Sequence, residues 1–256
     1  MRKFWISSLI VVAIMVLFTG CLPPSQADIE RAIRETQSAQ KTLFPSPTKT
    51  AKPTAQICNI ELDMKKEWKT IFCDTFENNK NQWWIGNDLD MGLSTSISNG
   101  KYIIDYSSKN ATGYKSGFYT ALNFADAQDY IITITGEIKS NYKNCNWGII
   151  VRGDYLNGYE FSIDNQGNYF LTYVGPTAND FIGNLKYGSH SAIRWDRPNT
   201  ITAIIEGKNL SFFVNDEPII TYESDNAMNK EISWSVWAAE GVSAIYELDD
   251  LLIREK

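Results

Sequence analysis

Few residues in this 256-residue chain have the types and spacing to do chemistry. Glu247, Asp249 and Asp250 in YELDDLLI bring carboxylates together, as acid–base work requires. The one histidine, His190, sits in the Gly/Ser-rich YGSHSAIRW, and no Gly-x-Ser-x-Gly elbow precedes a helix, so a nucleophilic triad has no frame. A single histidine and scattered cysteines give no zinc spacing either. Calcium stays open: Asp88 and Asp90 in GNDLDMG, and Asp164, Asn165 and Asn168 in DNQGN, offer oxygen ligands, although turn chemistry accounts for both stretches equally well. No other cofactor is expected.

Aromatic residues are the stronger hint, at 13% of the chain with eight tryptophans and thirteen tyrosines. A sugar ring has apolar C–H faces and a rim of hydroxyls, so a sugar site pairs a flat aromatic platform with amide, carboxylate or guanidinium groups. Arg152, Glu160, Tyr173, Trp195 and Trp234 are the candidates for such a face. Arg152 and Glu160 fall in the polar phase of adjoining strands, where an exposed salt bridge would explain them as well. Trp195 lies in AIRWDRP, a polar loop before a strand. Trp84, Trp147 and Tyr159 run in phase with apolar neighbours and are expected in the core.

The elements that must position these residues have period two. DYIITITGEIKS sends Tyr130, Ile132, Ile134 and Ile138 to one face and Thr133, Thr135 and Glu137 to the other. WGIIVRGD alternates Trp147, Ile149 and Val151 against Gly148, Ile150 and Arg152. Turns at Asp164 to Gly167, Glu206 to Asn209 and Asn215 to Glu217 close hairpins. Ten to twelve strands and no convincing long helix follow. So many one-faced strands are buried most economically sheet on sheet, which predicts an all-β, jelly-roll sandwich of two antiparallel sheets over residues 57–256.

Residues 1–21 read as an export signal, with basic Arg2 and Lys3, an apolar run from Phe4 to Phe18, and Thr19-Gly20 before Cys21. The run is shorter than the roughly 20 residues a spanning helix needs, which favours cleavage over an uncleaved anchor. LFTGC resembles the lipobox of bacterial lipoproteins, and the resemblance implies diacylglycerol on Cys21. Two acyl chains suffice for stable anchoring. Residues 22–56 read as a stalk: a short solvated helix over 27–41, then Pro45, Pro47 and Pro53 among Ser, Thr and Lys. Cleavage would remove two basic residues and no acid, taking 24 basic and 30 acidic side chains to 22 and 30, a net charge of about −8. Such an acidic chain argues against nucleic acid as partner and against electrostatic attachment to anionic lipid. Of the remaining cysteines, Cys58 with Cys73 would clip the stalk to the first strand, adding on the order of 3 kcal/mol; Cys73 with Cys145 is the rival pairing.

DTFENNKNQWW, NGKYIIDYSS, WGIIVRGDYLNGYEFSIDNQGNYFLTYV, NTITAIIEGKNLSFFVNDEPII and YELDDLLI, in that order, resemble concanavalin A-like jelly-roll domains. The similarity is to the branch grouped with 3-keto-disaccharide hydrolases and covers roughly Asp74 to Lys256. It implies sugar recognition or hydrolysis. Hydrolases of the superfamily set Glu-x-Asp-x-x-Glu on one strand, a run absent here, and Asp249 and Asp250 match a closing strand whose aspartate pair serves the sandwich edge. The expected protein is a lipid-anchored, carbohydrate-binding module without catalytic machinery on the outer face of a bacterial envelope. The alternatives are a glycoside hydrolase acting on a disaccharide and an envelope adhesion domain with a protein partner.

Overall fold

The computed structural model describes residues 62–90, 92–107, 116–123, 128–140, 144–154, 157–174, 184–224, 231–239 and 241–256. The expected signal, the lipidated Cys21, the stalk and Cys58 lie outside the described residues. Among the described residues there are fifteen strands and no helix. Nine form one sheet, in the order β13 (Glu217–Glu223), β12 (Asn209–Val214), β11 (Asn199–Glu206), β6 (Tyr130–Ile138), β15 (Ser243–Glu255), β4 (Lys101–Ser107), β3 (Leu93–Ser98) and β2 (Gly86–Asp88), with β1 (Lys69–Asp74) also on β15. The other six run β10 (Asn184–Ser189), β9 (Asn168–Val174), β8 (Asn157–Asp164), β7 (Cys145–Asp154), β14 (Glu231–Ala238) and β5 (Ser116–Asn123). Every pairing is antiparallel.

Alternation builds the space between the sheets. Tyr130, Ile132 and Ile134 of β6 meet Trp147, Ile149 and Val151 of β7 and Phe161 of β8 in one core, where Phe161 stacks on Phe212 at 4.7 Å. Trp83 and Trp234 close a second aromatic group in the same core, with ring centres 4.8 Å apart. Asp74 organises it from a buried position: its carboxylate accepts from the indole of Trp83 at 2.6 Å, from the amide of Phe76 at 2.7 Å and from Asn81. The DTFENNKNQWW stretch is thus a packing device, because a buried carboxyl group must have its hydrogen-bonding capacity filled.

Turn chemistry sets the hairpins. Asn99 and Gly100 between β3 and β4 have positive φ, as do Asn215 and Asp216 between β12 and β13, the conformation two-residue hairpin turns require. The Asn215 amide then donates to the Ala192 carbonyl at 2.7 Å, and the Asn199 amide donates to that of Arg194 at 2.7 Å. Residues 190–198 are therefore a pinned loop.

The closing strand departs from expectation. Asp249 and Asp250 lie at a bulge in the middle of β15, a central strand and not an edge. Asp250 has φ +48, and across it the inward phase shifts from Ala244, Tyr246 and Leu248 to Leu251 and Ile253. The extra residue lets β15 pair first with β4 and then with β1 along one edge. On the outer face of this sheet Ile131, Ile204 and Leu252 pack under Leu62 and Trp68. Arg254 donates to the Leu62 carbonyl at 3.1 Å, and Lys65 bonds Glu206 at 3.0 Å, so residues 62–68 are fastened onto that face.

Candidate functional site

The outer face of the six-stranded sheet is polar and recessed. One row across it reads Ser235 (β14), Gly148 (β7), Ser162 (β8), Phe170 (β9) and Tyr187 (β10), each opposite the next. A second row holds Ser233, Ile150, Glu160, Thr172 and Asn184, and a third holds Trp237, Asn146 and Asp164. Side chains from all three rows line a cavity of about 260 Å³.

Glu160 is only 7% exposed, and its carboxylate accepts from the Ser235 hydroxyl at 2.5 Å. The two residues belong to strands separated by β7. Their bond spans that strand where Gly148 has no side chain in the way. A Cβ on Gly148 would stand 2.1 Å from the Phe161 carbonyl oxygen and 2.6 Å from the Ser162 Cα, so only glycine lets β7 and β8 approach this closely.

Beside Glu160, Thr172 donates to the Asn184 side chain at 3.0 Å. The indole nitrogen of Trp237 is buried with no hydrogen-bond partner among the described residues. Phe170 forms part of the wall, and Tyr187, 74% exposed, stands directly across from it on the next strand. Amides, hydroxyls, the buried Glu160 carboxylate and the Phe170 ring therefore converge on one recess, with Tyr187 on the strand next to Phe170.

Asp164, at the far end of β8, also faces the cavity, but its carboxylate accepts from the amides of Gln166 (2.8 Å) and Asn168 (2.9 Å) and from the Asn168 side chain (2.8 Å). That geometry is the Asx turn of the β8–β9 hairpin, completed by Gly167 at φ +87. Among the described residues no group of three or more His, Cys, Asp and Glu is placed to hold a metal ion. Cys145 reaches the cavity wall as a free, buried thiol; burial pushes its pKa up against the opposing hydrogen bond of Tyr246. Such a thiol is poorly nucleophilic. Cys73 is disulfide-bonded, and the rival pairing with Cys145 does not occur.

The five sequence candidates separate. Glu160 alone lines the cavity. Arg152 is buried at the bulge of β7 with φ +55, its amide donating to the Tyr130 hydroxyl at 3.4 Å, so the exposed salt bridge with Glu160 is ruled out by burial. Tyr173 turns inward onto Tyr159, with rings 5.2 Å apart, and Trp234, 1% exposed, lies in the core in phase with Ile232 and Val236. Trp195 is 72% exposed on the pinned loop and is not one of the lining residues. Trp147 and Tyr159 are core as expected, but Trp84 is 43% exposed, because its neighbour Trp83 takes the inward position. Phe170, Tyr187, Trp237, Ser162 and Ser235 went unmarked; the two serines stand in the polar phase beside Glu160 and Trp234, a signal that alternation does carry.

Asp249 and Asp250 lie on the other sheet. Burial pushes both carboxyls above the ordinary carboxylate range; for Asp249 the Asp250 backbone amide and Lys101 oppose this, and Glu77 and Glu247 add to it. Lys101 bonds Glu247 at 2.7 Å.

No protein-family model matches the chain, and no curated protein matches it in sequence. Solved structures match in backbone. The catalytic domain of an endo-1,3-beta-glucanase (laminarinase) from Thermotoga petrophila RKU-1 aligns over 74% of this chain and 98% of its own, at 10% identity and TM-score 0.51. A laminarinase from Flavobacterium sp. UMI-01 aligns over 73% and 100%, at 10% identity and TM-score 0.51. SCLam, a non-specific endo-beta-1,3(4)-glucanase from family GH16, aligns over 75% and 92%, at 11% identity and TM-score 0.51. Together with the two antiparallel sheets, these matches give the chain the concanavalin A-like jelly-roll fold.

Proposed function

We propose that the domain is a carbohydrate-binding module without catalytic machinery of its own, displayed outside the cell on a stalk and lipid anchor. The observation that carries the sugar reading is the recess on the six-stranded sheet, where the Glu160 carboxylate, held by Ser235, faces amides and hydroxyls beside Phe170 and Tyr187. Polar groups of that kind fix hydroxyl positions, and the aromatic pair offers a surface for C–H faces. The fold neighbours are glucanases by name, which supports a glycan ligand at the level of class alone.

Hydrolysis by the usual route uses a second carboxylate, and the other acid among the described lining residues, Asp164, is committed to its own turn. That favours binding over turnover. The test is a glycan array probed with the full-length chain, with product analysis of every sugar that binds. Specific binding, weakened by Ser235→Ala and without cleavage, is expected. A blank array from folded protein would overturn the reading in favour of a protein partner, and released sugar would make the domain a hydrolase.

A further inference from the structure

Resting on that sugar-binding reading, we infer that the loop of residues 190–198 is a second sugar contact, separate from the recess, in which the Trp195 indole is the platform for one ring of a polymeric glycan. The loop holds that ring still. Asn199, 5% exposed, accepts from the Arg194 amide at 2.8 Å and donates to the Arg194 and Arg197 carbonyls at 2.7 and 3.4 Å. Asn215 donates to the Ala192 carbonyl at 2.7 Å and to the Asn199 side chain at 2.9 Å. Two side-chain amides thus fix the backbone on both sides of Trp195, yet the ring itself is 72% exposed. A large aromatic held in one conformation and left in water is pre-organised for a contact outside the chain, because its backbone is ordered before anything binds.

The surroundings point to the kind of partner. Trp195 is the one exposed large apolar side chain of the loop, and Arg194, Asp196, Arg197 and Pro198 beside it are exposed as well. An aromatic side chain offers roughly 150–250 Å², whereas a stable protein partner covers about 800 Å² of each surface. The platform therefore matches a single ring and falls short of a protein. A bilayer is a poor match too, since attachment to anionic lipid takes clusters of about 4–8 Lys and Arg. Here the Arg197 guanidinium is tied to Asp196 by bonds of 3.1 and 3.4 Å, and the β12–β13 turn, fastened to the loop through Asn215, carries exposed Asp216 and Glu217. A flat indole whose neighbours both donate, from Arg194, and accept, from Asp196, suits a sugar ring, whose C–H face stacks while its hydroxyls exchange hydrogen bonds. One ring on Trp195 and another in the recess make the domain bivalent. Bivalency raises affinity for a glycan that offers many rings and leaves a short sugar to the recess alone.

The test uses the full-length chain in depletion assays on insoluble cellulose, curdlan and chitin, paired with titration calorimetry on cellobiose, laminaribiose and N,N′-diacetylchitobiose. Trp195→Ala is expected to weaken binding to the polysaccharide about fivefold, and to change affinity for the matching disaccharide less than about twofold. Trp195→Phe, which keeps a flat ring, is expected to recover most of the loss. Ser235→Ala, in the recess, is expected to weaken binding of both. Polysaccharide binding that is absent or that Trp195→Ala leaves unchanged, while the disaccharide binds, overturns the inference and leaves the sugar-binding reading standing. An equal loss for polymer and disaccharide does the same, since it would put Trp195 at the recess. Vesicles of phosphatidylglycerol and phosphatidylcholine supply the lipid arm, and binding there that Trp195→Ala abolishes assigns the loop to a membrane instead. Failure of every sugar in the panel overturns both the inference and the reading beneath it.

Discussion

The two sheets bear outward polar residues by the same alternation, yet their outer faces have different fates. On the nine-stranded sheet the outward rows are closed: Thr133 bonds Thr202 at 3.1 Å, Thr135 bonds Thr200 at 3.0 Å, and residues 62–68 cover Ile131, Ile204 and Leu252. On the six-stranded sheet the outward rows include Glu160, Ser162, Ser235 and the indole N–H of Trp237, which has no hydrogen-bond partner among the described residues, around a cavity. A polar phase in sequence therefore means only that a face is turned away from the core. What the face does depends on whether another part of the chain lies on it.

This contrast can be broken or sharpened by substitution. Trp234→Ala, in the core between the faces, is expected to cost about 3–5 kcal/mol in urea unfolding; a fully stable variant that has merely lost sugar binding would return Trp234 to the ligand face. Trp68→Ala, on the covered face, is expected to cost about 3 kcal/mol with sugar affinity unchanged, since that indole packs on Ile204 and Leu252 and takes Lys65 over its ring at 5.0 Å. A parallel fall in affinity would mean that the two faces are coupled. Gly148→Ala forces β7 and β8 apart; a loss of about 1–3 kcal/mol is expected, with weakened binding because the Glu160–Ser235 bridge is disturbed.

Tyr187→Ala is the converse of Trp68→Ala. An exposed ring leaves stability within about 0.5 kcal/mol, while losing a stacking surface should weaken sugar binding by about 1 kcal/mol, roughly fivefold in Kd. The smallest effect belongs to Asp250→Asn. A carboxyl raised in the folded state binds its proton more readily there than in the unfolded chain, so on its account stability is greatest at low pH and falls as pH rises through the raised value. Asparagine, which tolerates the left-handed backbone, should stabilise the domain modestly at pH 7, and the gain should shrink toward about pH 4, near the unfolded carboxylate value. Thermal unfolding at both pH values checks the sign.

The fold was legible because its signals are local. The alternation in β6 and β7 and the Asn-Asp turn at Asn215 can be read within a dozen residues, and the structure has them where the pattern puts them. Of the residues lining the candidate recess, only Glu160 was legible. Phe170 and Tyr187 are 17 positions apart and become a pair through β9–β10 register, and Ser235 reaches Glu160 from 75 residues away. No spacing rule encodes such meetings. Trp234 was misread for another reason: its alternation with Ile232 and Val236 was available, but a tryptophan among serines looks like a platform until its phase is followed. Trp84 was the reverse error, since of two adjacent tryptophans only one can face inward.

The pairing of β1 with β15 sets Lys69 opposite Glu255, joined by an ion pair of 3.1 Å. The first and last strands therefore lie side by side, in the sheet whose outer face residues 62–68 cover. In engineering terms the domain is a cassette: a graft into a surface loop of a host protein that keeps residues 62–68 ahead of β1 would enter and leave on one sheet, and the recess would still open on the opposite sheet.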